Sequence, residues 1–282
     1  MKSCLILACS IFAAFSAACG GRSLETTPEM AQSLLKARGF NFTQDEFFKA
    51  LKQSEASDVA LFLQAGMDPN VRNEKGETAM TFAAANSNVE TVKILAAKAD
   101  LNLKDGADNM PLFVALKKQK SDNFDFLLNS GADPNSTGTA GSTKGQTVLY
   151  VAILQNRIGP IKKLIEKGAD PDKPDADGAV PVSEHAMARL ADLEVVKLLL
   201  SKTRNINIPE RDGSTVLMYA AQNTRMPRSD LKEIIRLLLE KGADKSIKDK
   251  DGRTALDRAK KAKNKEAIEL LAGEEKYPFE LL

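Results

Sequence analysis

The stretch LLNSGADPN, residues 127–135, decides the fold because it does not stand alone. FLQAGMDPN occupies 62–70, LIEKGADPD 164–172 and LLEKGADKS 238–246. Each phrase is a run rich in apolar residues, then a glycine, then a short string drawn mostly from Asp, Pro, Asn and Ser. A glycine just past such a run supplies the left-handed residue that ends a helix. The aspartate, proline and asparagine after it favour an extended turn over more helix. The phrase reads as a helix C-terminus, and its recurrence as a structural repeat.

The register extends outward from there. The glycine slot falls at Gly66, Lys98, Gly131, Gly168, Thr203 and Gly242, and a threonine-like slot follows at Thr78, Met110, Thr147, Val180, Thr215 and Thr254. The gap is 12 residues in five units and 16 in the one from Gly131 to Thr147. Successive phrases lie 32, 33, 37, 35 and 39 residues apart, so the unit is near 33. The threonine slot predicts an N-cap, with Pro111 or Pro181 in the first turn where proline loses no hydrogen bond. Ala83, Ala115, Ala152, Ala220 and Ala259 share one small-residue slot, which lets two helices approach closely; His185 takes it in the fifth unit. Apolar pairs such as Leu127-Leu128, with Phe124 before them, give the three-then-four spacing of one helical face. Each unit is therefore two short helices. Asp177-Gly178, Asp212-Gly213 and Asp251-Gly252 favour tight turns, so the 12-residue link is a protruding finger.

In this register the chain resembles the ankyrin repeat family. DGSTVLMYAAQN (212–223) and DGRTALDRAKKAKNKEAIELLAG (251–273) look like the family's helix-one signature, without its usual histidine after the leucine. The resemblance covers about residues 41–273 as about seven units, the first (43–70) degenerate. It implies an all-α fold: an ankyrin-repeat solenoid of helix-turn-helix units with protruding hairpin-like fingers. Residues 27–40 read as an N-terminal capping helix. Arg258, Lys260 and Lys261 read as a polar cap closing the stack, and 274–282 as a C-terminal tail.

Composition narrows the function. Forty basic residues stand against 38 acidic ones, a balance that argues against a dedicated nucleic-acid binder. The N-terminus, MKSCLILACSIFAAFSAACGG, carries one lysine, an apolar run over 4–18 and small residues at its end. That run is short of the ~20 residues of a spanning helix and reads as a signal peptide over 1–18. Ser16-Ala17-Ala18-Cys19 resembles the lipobox of bacterial lipoproteins, with Ser16 where leucine is usual. The resemblance implies lipidation of Cys19, a tether over 19–26 and, with Gly20 next, an outer-membrane lipoprotein facing the periplasm. The other reading is ordinary cleavage after Ala18, leaving a secreted or periplasmic soluble protein.

No constellation for catalysis emerges. His185 is the only histidine, and Ser183 and Glu184 beside it do not share a helical face with it. The aspartates of 170–178 faintly resemble a calcium loop, but Lys173 takes the first ligand position. GTAGSTKG (138–145) lacks the order of a phosphate loop and reads as an enlarged finger. The lysine runs at Lys117, Lys118, Lys120 and at Lys260, Lys261, Lys263, Lys265 have no interleaved aromatics and read as solvated faces. The expectation is no cofactor, no metal and no enzyme activity.

In ankyrin proteins the finger tips and the outer residues of the first helices contact the partner. Carried over by position, the contact set is Lys75, Glu77, Asn86, Asn109, Lys117, Lys118, Lys144, Gln146, Gln155, Asp177, Met187, Ser214, Gln222, Asn223 and Arg253. The expected function is a monomeric, non-enzymatic protein-binding scaffold in the bacterial envelope. Its alternatives are a secreted host-directed ankyrin protein or a hydrolase with a site in the array. The long 131–147 finger is expected to contact the partner, with deletion of Gly138–Gly141 leaving melting nearly unchanged.

Overall fold

The computed structural model describes residues 26–140, 143–182 and 193–273, which form fourteen α-helices and one two-stranded sheet. A leading helix α1 (Pro28–Ala37) precedes the helix pairs α2 (Gln44–Gln53) with α3 (Ala56–Gln64) and α4 (Ala79–Asn86) with α5 (Val89–Ala96). Then come α6 (Pro111–Lys117) with α7 (Ser121–Asn129), and α8 (Val148–Leu154) with α9 (Ile158–Glu166). α10 (Leu193–Lys202) is the second helix of the fifth unit. The last pairs are α11 (Val216–Gln222) with α12 (Arg228–Glu240) and α13 (Ala255–Ala262) with α14 (Lys265–Ala272).

Capping explains where these helices start and stop. Oγ1 of Thr78 accepts the amide of Thr81 at 3.0 Å, and that of Thr147 accepts the amide of Tyr150 at 3.1 Å. Thr254 goes further and forms a reciprocal box with Asp257. Met110 and Thr215 make no such side-chain bond; in the first case Pro111 opens the helix instead. At the other end Gly131 adopts φ 94°, and the chain turns so that Ala132 N–H reaches the carbonyl of Leu127 at 3.0 Å. Ala169 to Leu164 and Ala243 to Leu238 repeat that bond at 2.9 and 3.0 Å. The recurring phrase is this helix stop.

Units stack because first helices pack on first helices and second on second: α2, α4, α6 and α8 form one row, and α1, α3, α5 and α7 the other. Ala83, Ala115, Ala152 and Ala259 are fully buried and Ala220 nearly so, filling the small slot between rows. The core is otherwise aliphatic and continuous from Ala31 to Leu271. The degenerate first unit, which lacks the small-residue slot, is held by aromatics instead: Phe47 and Phe40 lie 5.4 and 5.7 Å from Phe62. Short helices like these are marginal alone, so packing sustains them.

The long finger of the fourth unit is a true hairpin, β1 (Thr137–Ala140) antiparallel to β2 (Thr143–Thr147), with Thr137 opposite Thr147. It is not free. The N–H of Met110 donates to Thr137 at 3.0 Å, and Gly138 is pressed against Phe113 so closely that a Cβ there would sit 2.2 Å from the ring. Deleting Gly138–Gly141 would therefore disturb the packing, contrary to the sequence-based expectation.

A candidate protein-interaction surface

Four of the fingers are each shaped by one acceptor side chain that takes two amides. Oδ1 of Asn73 takes the amides of Lys75 and Glu77, both at 3.0 Å. Asp105 does the same for Ala107 and Asn109, Asp175 for Asp177 and Ala179, and Asp249 for Asp251 and Arg253. Neighbouring tips are then joined through backbone: Gly106 N–H to Gly76 at 2.9 Å, Ala176 to Lys144 at 3.2 Å and Lys250 to Asp212 at 2.9 Å. Glycine suits position 213 twice over: its φ is 81°, and an added carbon would lie a tight 3.1 Å from the Asp249 backbone.

A second rail runs along the turns after the second helices. The side-chain oxygens of Asn70, Asn102, Asn135 and Asn207 accept the amides of Asp100, Asp133, Asp170 and Asp244 in the next unit, at 2.7–2.9 Å. A third lies where the first helix turns into the second. Asn123 Nδ2 donates to Ala84 and Ser87, Arg157 to Leu116, and Asn264 to Ala221 and Asn223, closing the exposed carbonyls of the preceding unit. Sequence reading took Asn70 and Asn135 as turn residues only; their recurrence in register, with Asn102 and Asn207, was the available signal for an inter-unit role.

The second-helix face is knitted by ion pairs between units. Lys163 meets Asp125 at 2.7 Å, Lys197 meets Glu233 at 2.7 Å, Arg228 meets Glu266 at 3.2 Å and Lys232 meets Glu269 at 3.4 Å. These exposed pairs contribute little stability each, and they link successive second helices.

The finger and first-helix edge differs. Lys75, Lys118 and Lys144 are exposed there and make no ion pair among the described residues, and Asn86, Gln155 and Gln222 are exposed beside them. Other expected contacts are engaged. Lys117 reaches across to the carbonyl of Thr139 at 2.5 Å, Glu77 accepts from Asn73, and Asn109 accepts the amide of Thr139. Asp177 pairs with Arg211, Asn223 accepts from Asn264, and Arg253 pairs with Asp249. Two expectations need correction. Gln146 is 6% exposed, turned inward from β2, and Ser214 is fully buried. Both sit one residue before the threonine at the helix start, Thr147 or Thr215, where the finger dives into the stack. Met187, His185, Glu184, Cys19, the signal segment and the tail 274–282 lie outside the described residues.

Ser214 belongs to a polar network between the last two units. Arg258, expected as part of a polar cap closing the stack, is buried: its guanidinium meets Asp249 at 2.6 Å and Ser214 Oγ at 2.5 Å, and lies 5.8 Å from the Tyr219 ring centre. Burial alone would raise the Asp249 carboxyl, but the Arg253 amide and then the Arg258 and Arg253 side chains hold it well below the usual carboxylate range. For Tyr219 burial, and then its hydrogen bond to Glu210, push the phenol up. The arginine substitutes for an apolar plug because Asp249, already shaping the finger, needs a buried partner.

Among the described residues no group of three His, Cys, Asp or Glu could hold a metal, and no helix is long and apolar enough to cross a membrane.

Comparison with known proteins agrees with this architecture. Residues 47–138 and 184–279 match the family model described as ankyrin repeats in three copies. A mitochondrial disaggregase of Bos taurus is 33% identical over 153 residues, covering 54% of this chain and 22% of the relative. A putative ankyrin repeat-containing protein of Treponema pallidum is 26% identical over 144 residues, covering 50% of this chain. The chain thus spans less than half the length of either relative, 22% and 47%. The crystal structure of the ankyrin repeat domain of Bcl-3 superposes with TM-score 0.61 and 26% identity, over 80% of this chain and 97% of that one.

Proposed function

Because the chain belongs to the ankyrin repeat family, whose fold is suited to protein–protein interaction and is typically a non-enzymatic scaffold, we propose that it holds a protein partner along its finger and first-helix edge. The observation that carries this reading is a row of exposed cations on that edge: Lys75, Lys118 and Lys144 stand there without ion partners among the described residues. Complementary charge at such an edge steers a partner and fixes its register.

The proposal includes place. The apolar run over 4–18, its end forming Ser16-Ala17-Ala18-Cys19 before two glycines, supports export and acylation of Cys19. The protein would then stand on the periplasmic side of a bacterial outer membrane as a monomer. Relatives described as ankyrin repeat proteins in Treponema pallidum and Rickettsia felis are in keeping with a bacterial setting.

Cross-linking mass spectrometry on affinity-purified envelope extract tests the scaffold. Cross-links to a partner should concentrate at Lys75, Lys118 and Lys144, and the double change Lys118→Glu with Lys144→Glu should abolish them. Cross-links confined to the second-helix face would refute it. Palmitate labelling of wild type against Cys19→Ser tests the anchor separately.

A further inference from the structure

Among the described residues four large apolar side chains stand exposed, and all four lie near the start of the stack: Met30, Leu34, Phe42 and Ile94. A terminal repeat ordinarily turns a polar face outward. Here Met30 is half exposed and Leu34 more than a third, one turn apart on the same face of α1. The helix stops show how such residues line up. The N–H groups of Phe40, Met67, Ala99 and Ala132 close α1, α3, α5 and α7 onto the carbonyls of Leu35, Phe62, Leu95 and Leu127, at 2.9–3.0 Å. Those four acceptors are fully buried. The residue just before each is Leu34, Leu61, Ile94 or Phe126, so an apolar residue holds the same place on four successive helices of the second row. α1 packs on α3, α3 on α5 and α5 on α7, which makes these places a continuous line along that row.

The line breaks at the next helix. Ala169 closes α9 on Leu164, and the residue before that is Lys163, which pairs with Asp125 at 2.7 Å. Farther on, Leu198 and Leu237 take the place but are half-buried, beside the Lys197–Glu233 pair. The exposed apolar part of the row is therefore its N-terminal end. That end is also the one nearest Cys19, which stands nine residues before Pro28. Even a fully extended link of that length starts α1 within roughly 30 Å of a lipid on the sulfur. Packed helices follow one another at roughly 10 Å, so α5 lies about 20 Å beyond α1.

We propose that this N-terminal second-helix face, Met30 and Leu34 of α1 with Ile94 of α5, lies on the lipid surface that anchors the chain. The proposal rests on the acylation of Cys19 proposed above and adds how the stack is held on the membrane. A bilayer is the occupant that the chain itself brings, because the short link keeps α1 beside it whatever else binds. Apolar side chains on a helix whose Gln32, Ser33 and Lys36 are also exposed suit the headgroup boundary, where one face meets lipid and the rest meets water. Laid down this way, the stack turns its first-helix row, across the core, away from lipid. Lys75, Lys118 and Lys144 are then open to a protein partner.

The chain holds no tryptophan, so Leu34→Trp, Ile94→Trp and Asn86→Trp each report one position. Asn86 is exposed in the same unit as Ile94 but on the first-helix row. Each exported chain is purified from the envelope and set in phosphatidylethanolamine–phosphatidylglycerol vesicles by its own acyl chains. If Cys19 carries none, its thiol is coupled to a maleimide lipid, which leaves the same link between lipid and α1. Brominated lipid should quench the tryptophan of the first two variants roughly twofold and leave that of Asn86→Trp bright. Adding Met30→Gln and Leu34→Gln to Ile94→Trp should relieve the quenching. Far-ultraviolet circular dichroism and melting should not change, since both side chains are exposed. Equal emission in brominated and ordinary vesicles, or equal quenching of all three variants, would overturn the proposal. So would a dimer in sedimentation that Met30→Gln with Leu34→Gln dissociates, which would give the face to a second copy. Quenching on maleimide lipid without palmitate labelling would keep this face and reject the natural anchor; labelling without quenching would do the reverse.

Discussion

Gly138 lies against the ring of Phe113 in the preceding unit, closer than any side-chain carbon would allow: a Cβ at 138 would stand 2.2 Å from Cδ1. The contact pins the only described hairpin to α6, aided by the bond from Thr139 N–H to Asn109 at 2.8 Å. Gly138→Ala should destabilise the protein by about 1–3 kcal/mol through overpacking. A compensating Phe113→Leu should recover part of that loss, so a double-mutant cycle by urea denaturation should show strong coupling. Additive effects would show that the ring and glycine do not meet.

The Asp249–Arg258 pair predicts a local acid sensitivity. The folded Asp249 carboxyl ionises at lower pH than in the unfolded chain, so the unfolded state binds more protons as pH falls through the carboxylate range. Its stabilisation is complete above that range and is lost as pH falls below about 4. Asp249→Asn should lower hydrogen-exchange protection in α13 and α14 at neutral pH, leaving α4 to α6 unchanged, and the gap should begin to narrow only as pH falls below about 4. A gap that narrows already above about pH 5 would contradict the pairing.

Asn135 carries one step of the inter-unit rail: its Oδ1 accepts from Asp170 at 2.7 Å and its Nδ2 donates to the Gly168 carbonyl. Asn135→Ala should cost about 1 kcal/mol of stability. Asn102→Ala breaks the neighbouring step at Asp133. Calorimetry on the pair of single changes and their combination should give nearly additive losses, since each rail bond joins only adjacent units.

Ala152 is fully buried in the small-residue slot. Ala152→Leu should lower the melting temperature by several degrees, as overpacking forces the helix rows apart. Gln155→Leu, on the exposed side of the same unit, should leave it within about a degree or two.

The repeat plan was legible because it depends on local residue chemistry. Gly131, Thr147 and Ala152 each act within a few residues of their own position, and the same type recurs about 33 residues on. What the sequence hid depends on contacts between units. Gln146 and Ser214 look like finger residues, yet both point inward, because burial there is set by the neighbouring finger. Arg258 looks like a surface residue because its partner Asp249 serves first as a turn acceptor nine positions earlier. The length of the fourth finger was readable from spacing; its docking on Phe113 was not, since nothing local ties 113 to 138.

The rails joining adjacent units also have a mechanical meaning. Asn70, Asn102 and Asn135 each grip a single neighbouring amide, so tension between the two ends loads one junction after another instead of all together. Pulled in an optical trap, the molecule should lengthen by discrete events, each releasing roughly one unit of chain, and should rewind readily because the surviving stack serves as a template for the next unit.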